Sequence, residues 1–153
     1  MRISRRTIGL TPCACTVDAC LMASAYRERV EKRVRPLLTT ALEPGEQVVG
    51  SGFALGDPAR WKSLIQGTWL PRQFWIAATD RRLLVFLFPK VRGPAELEFA
   101  VRTDRVSIGK QRRGPVSYRL ILSAEGRNYR LRFPPRWWAD GERIAAALGA
   151  RGG

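Results

Sequence analysis

The sequence predicts a mainly β fold with a helix at each end, and three observations carry that prediction. Apolar residues recur at helical spacing near the two ends of the chain, over 24–42 and 136–148. Between them, short runs rich in β-branched and aromatic residues are punctuated by Gly, Pro and Asp. The 153 residues are 45% hydrophobic and 26% charged, enough for one sizeable core and too few for two ordinary domains.

Taken in order, the first element is an amphipathic helix over 24–42. Val30, Val34, Leu37, Leu38 and Leu42 recur every three or four positions, with Arg27, Glu28, Glu31, Lys32 and Arg35 between them. Pro36 is the point at which this helix kinks or divides, and Glu43-Pro44-Gly45-Glu46 stops it. Residues 47–55 form a strand weakened by Gly50 and Gly52. Asp57 as N-cap and Pro58 at the first helical position then open a short connecting helix over 58–66.

The centre is the most strongly β part. Residues 72–79 and 82–88 are apolar on both faces in places and flank a tight turn in which the Asp80 side chain is expected to bond backbone amides of its own turn. Residues 96–102 alternate, placing Leu97, Phe99 and Val101 on one face, and 106–108 make a further short strand followed by a basic loop over 110–115. In the last hairpin, Glu125-Gly126 as a two-residue turn sets Leu122 opposite Tyr129, Leu120 opposite Leu131 and Tyr118 opposite Phe133 on the inner face. The same register sets Arg119 opposite Arg132 and Ile121 opposite Arg130 on the outer face. Pro134-Pro135 ends the strand, and the closing helix over 136–148 places Trp137, Gly141, Ile144 and Leu148 on one face. Trp137 is expected to plug the core, with Trp138 at its rim.

Charge and cysteine usage bound the chemistry. Lys and Arg number 27 against 13 Asp and Glu, a formal net charge of +14, and His is absent, which excludes every imidazole-dependent triad, dyad or metal site. Residues 103–135 carry +6 of that charge, from Arg105, Lys110, Arg112, Arg113, Arg119, Arg127, Arg130 and Arg132 against Asp104 and Glu125. Asp80 and Asp104 read as turn residues rather than a catalytic pair. Neither a metal site nor a cofactor is expected, and Gly50-Ser51-Gly52 lacks the Lys-Ser/Thr of a phosphate-binding loop.

The first 23 residues read as a disordered or mis-assigned tail, with Met22 as initiator. Ser4-Arg5-Arg6 and Ala23-Ser24-Ala25 imitate a twin-arginine export signal, but Pro12 and Asp18 interrupt its apolar region. All three cysteines, Cys13, Cys15 and Cys20, fall in this tail at a spacing that matches neither redox nor zinc motifs, so the domain has no disulfide framework. The expected location is cytoplasmic, compatible with a peripheral position at the inner membrane face.

Two motifs carry a resemblance. Leu42-Glu43-Pro44-Gly45-Glu46-Gln47-Val48-Val49, followed by Trp75-Ile76-Ala77-Ala78-Thr79-Asp80-Arg81-Arg82-Leu83-Leu84-Val85-Phe86, resembles the bacterial pleckstrin-homology-like (PH-like) domains of the YokE-like group. The resemblance covers about 42–149 and implies a partly open antiparallel barrel of about seven strands closed by a C-terminal helix. That family brings no catalytic residues. In its lipid-binding relatives a basic motif joins the first two strands; the matching segment here has Arg60 and Lys62 amid Trp61 and Trp69. The expectation is therefore a non-catalytic binding or scaffolding module, 43–150, contacting a protein partner or an anionic membrane surface. The candidate ligand-binding residues are Lys110, Arg112, Arg113, Arg119, Arg130 and Arg132. A nucleic-acid-binding protein is the alternative.

Overall fold

The helical spacing near the N-terminus is realised as α1 (Val17–Ala41), a continuous helix with Pro36 inside it. It begins before the expected start at Ser24 because 17–25, rich in Ala, Leu and Met, continue the helix, so Cys20 and Met22 lie in α1 rather than in a tail. The computed structural model describes residues 17–56, 71–88 and 94–149, with side chains from Ser24 onward. Cys13, Cys15, the Arg5-Arg6 segment and the expected connecting helix, with Arg60, Trp61, Lys62 and Trp69, lie outside the described residues.

Among the described residues seven strands follow: β1 (Val48–Gly56), β2 (Arg72–Thr79), β3 (Arg82–Phe88), β4 (Glu96–Arg102), β5 (Val106–Arg113), β6 (Tyr118–Ala124) and β7 (Arg127–Phe133). They form one antiparallel sheet in the order β4-β3-β2-β1-β7-β6-β5, left open between β4 and β5. The joint between its halves is short, since β1 and β7 pair through Leu55 with Arg132 and Gly56 with Leu131. The β6–β7 register is the expected one, Tyr118 with Phe133, Leu120 with Leu131 and Leu122 with Tyr129. Its turn residues have φ of 51° at Glu125 and 75° at Gly126, the left-handed pair that a two-residue hairpin needs.

A 3₁₀ turn (Pro135–Trp137) leads into α2 (Trp138–Gly149), which lies across β1 where that strand has parted from β7. Close approach requires small residues on β1. A Cβ at Gly52 would lie 2.8 Å from the Asp140 Cβ, and one at Gly141 would lie 2.7 Å from the Tyr118 ring. Gly52→Ala is accordingly expected to destabilise the fold by about 1–3 kcal/mol, read as a lower thermal midpoint. Tyr26 of α1 meets Phe53 of β1 edge-on at 6.3 Å and Phe53 meets Phe88 at 6.2 Å, while Val30 and Val34 join the buried core. Among the described residues no helix is long and apolar enough to cross a membrane.

Candidate anion-binding face

The two sequence motifs meet in space. Glu46, whose side chain is 0% exposed, receives Arg82 Nη2 at 2.6 Å and Nε at 3.1 Å, and the Glu43 amide at 2.8 Å. The Thr79 hydroxyl lies 2.6 Å from Glu46 Oε1 and accepts the Arg82 amide at 2.8 Å. Arg82 Nη2 also caps α1 by donating to the Ala41 carbonyl at 3.0 Å, and the Gln47 amide donates to Asp80 at 2.9 Å. Hydrogen bonding from Arg82, opposed by burial and helped by the Glu43 amide and Thr79 hydroxyl, holds the Glu46 carboxyl at about 2. This network ties the end of α1 to the β2–β3 turn; it is a structural clasp.

Beside it lies a concavity of about 530 Å³, lined by Glu43, Asp80, Arg81, Arg82, Arg102, Thr103 and Asp104. Its charges are already matched: Arg102 bonds Asp104 at 2.9 Å and Arg82 approaches Glu43 at 3.2 Å. Asp104 lies in the 3₁₀ turn after β4, bonded by Arg102, while Asp80 accepts the Gln47 amide from the start of β1; the Arg81 and Arg82 amides of its own turn go to the Thr79 hydroxyl instead, contrary to the expectation for Asp80. Among the described residues no group of three Cys, Asp or Glu side chains is placed to hold a metal ion.

The outer face of β5–β7 is different in kind. Lys110, Arg112 and Arg113 lie on β5 rather than in a loop, because β5 continues to Arg113 past an irregularity between Ile108 and Gln111. Pairing then sets Arg112 opposite Arg119 and Arg119 opposite Arg132. A concavity of about 210 Å³ is lined by Lys110, Arg112, Arg119, Arg130 and Arg132 with Leu120, Ile121 and Leu131. Among the described residues five cations and no carboxylate line it. Like charges directly opposed across a sheet destabilise it by about 0.2–1 kcal/mol per pair unless an anion lies between them.

Arg113, the sixth residue predicted from sequence, is not among them. Strand alternation turns it to the other side, where its guanidinium lies 4.8 Å from the Trp138 ring centroid and 3.8 Å from Glu142. Gln111 shares that side and accepts a hydrogen bond from the Tyr118 hydroxyl at 2.9 Å. The missed signal was the period of two: once 106–113 is a strand, positions 110 and 112 face one way and 111 and 113 the other. Comparison with protein-family models and with curated proteins returns no match.

Proposed function

We propose that this chain is a non-catalytic binding module of PH-like fold that docks on an anionic membrane surface through the outer face of β5–β7. The observation that carries the reading is the row of cross-strand arginines in a concavity that, among the described residues, no carboxylate lines. A basic face of this kind draws acidic lipid by a long-range attraction that salt weakens. Among the described residues no aromatic side chain lines the concavity to serve as a stacking platform for nucleic-acid bases, which favours the membrane reading. The Glu46–Arg82 clasp and the seven-stranded sheet supply a rigid platform, and the two motifs that build the clasp are those on which the PH-like resemblance rests.

Sedimentation with anionic and neutral vesicles tests this. The protein is expected to pellet with anionic vesicles, less so as salt rises. A basic side chain near such a surface contributes about 1 kcal/mol, so Arg119→Ala/Arg130→Ala is expected to weaken partitioning by roughly thirtyfold. Equal sedimentation of the double variant would remove the assignment of this face. Failure on vesicles with strong retention by an acidic protein, or by RNA or DNA at about 0.15 M salt, would transfer the face to that partner.

A further inference from the structure

The basic face ends in an uncharged tip. Strands β5 and β6 are joined over Gly114-Pro115-Val116-Ser117, and the Gly114 amide donates to the Ser117 carbonyl at 2.9 Å, which puts Pro115 and Val116 at the apex. Single exposed apolar side chains are common on protein surfaces, but the setting of this one is unlike the rest. Val116 is 71% exposed, against 37–49% for the other exposed large hydrophobic side chains among the described residues. Of those, Leu97 sits between Glu96 and Glu98, and Val48 and Val49 follow the Glu43–Glu46 turn. No Asp or Glu occurs in 105–124, while Arg112 and Arg113 precede the apex and Arg119 follows it. Below the apex the hairpin is fixed in the core: Tyr118 is buried, its ring 6.0 Å from that of Phe133 and its hydroxyl bonded to Gln111 at 2.9 Å.

Arg112 and Arg119 are cross-strand partners, with Arg113 and Tyr118 the next pair toward the tip. Strands rise about 3.3 Å per residue, so the apex stands about 10 Å beyond the Arg112–Arg119 pair. Apolar faces of surface-bound elements lie roughly 5–10 Å into the boundary between lipid headgroups and acyl chains, a depth this reach covers. The long apolar stems of Arg112 and Arg119 allow their guanidinium groups to stay at phosphate level while the apex lies deeper. Pro115 has no amide hydrogen, so one backbone donor fewer gives up water there. We propose that the β5–β6 tip is a membrane wedge: Pro115 and Val116 enter that boundary in an anionic bilayer, with Arg112 and Arg119 on the phosphates around them. This deepens the docking reading and rests on it, adding an apolar contribution to an attraction otherwise carried by charge.

Sedimentation of the full chain with anionic vesicles, repeated at rising salt, tests it. One methylene group moved from water into an apolar medium changes partitioning by about fourfold. Val116→Ala is therefore expected to weaken vesicle binding by about tenfold, and Val116→Leu to strengthen it by about threefold. Neither substitution alters charge, so both should keep the wild-type salt dependence, whereas Arg119→Ala/Arg130→Ala reduces it. Thermal midpoints of the two Val116 variants should match wild type, because the side chain is exposed. Val116→Trp adds a reading of depth: the emission it contributes is expected to be quenched by vesicles with brominated acyl chains. Equal partitioning of the alanine, wild-type and leucine chains, or unquenched emission from Val116→Trp, would overturn the wedge. Surface docking then still stands if Arg119→Ala/Arg130→Ala weakens vesicle binding. A wild-type chain that leaves anionic vesicles unbound overturns both readings. Retention by an acidic protein that Val116→Ala weakens, without vesicle binding, would place the tip in a protein pocket and overturn the bilayer assignment.

Discussion

Arg82→Met is expected to lower the stability of the domain by about 3–5 kcal/mol, the cost of leaving a buried carboxylate without its cation. In a chain of this size that corresponds to a fall of roughly 10–20 °C in thermal midpoint. The reason is geometric: Glu46 is fully enclosed, and Arg82 supplies two of the bonds to it as well as the cap on Ala41. The pH dependence gives an independent reading of the same pair. The Glu46 carboxyl is lowered from 4.5 to about 2 in the folded chain. A depressed carboxyl contributes stability that is fully present above its unfolded value and is lost as pH falls through the folded one, here between about 4.5 and 2. The displacement corresponds to about 3 kcal/mol. Denaturant midpoints followed from pH 7 to 2.5 should therefore show the gap between wild type and Arg82→Met narrowing in acid. Adding Glu46→Gln to Arg82→Met should recover part of the loss, because no uncompensated charge is then buried. A gap that stays constant with pH would show that the pair contributes nothing to the acid limb.

The clasp also shows where sequence reading reaches its limit. Glu46 and Arg82 are 36 positions apart, and nothing in either motif's local pattern says that one buries the charge of the other. The β6–β7 hairpin was legible because a two-residue turn fixes the register and a period of two then assigns every face. Helix α2 was legible through Gly141, Ile144 and Leu148, and the 3₁₀ turn that leads into it through Trp137, all of them buried. The second half of β5 was not, because Lys110-Gln111-Arg112-Arg113 has no apolar side to betray alternation. That one omission turned a strand into an expected loop, and it is why Arg113 was grouped with residues on the opposite face. The charged row itself was half visible, since the Arg119–Arg132 opposition follows from the hairpin alone. Its extension to Arg112 required β5 to be paired.

Trp137→Ala is expected to cost about 3–5 kcal/mol, a large share of the roughly 5–15 kcal/mol that holds a domain folded. The indole is 0% exposed and stands where β1 and β7 separate. It meets Trp75 edge-on at 5.4 Å and Phe53 at 6.2 Å, with the Arg27 guanidinium 4.5 Å above its ring. Arg27 in turn bonds Asp140 at 3.1 Å, so α1, the 3₁₀ turn and α2 converge on this one side chain. Removing it leaves a cavity that strand pairing cannot close, because the β1–β7 ladder is only two pairs long. Trp137→Phe offers the informative contrast. The Trp137 Nε1 is buried with no hydrogen-bond partner among the described residues, so the phenyl ring gives up volume but also removes an unsatisfied donor. Its cost should be less than half that of alanine. Urea midpoints of the two variants decide the matter: an alanine loss below about 1 kcal/mol, or a phenylalanine loss equal to it, would mean that the indole is not the keystone of this joint.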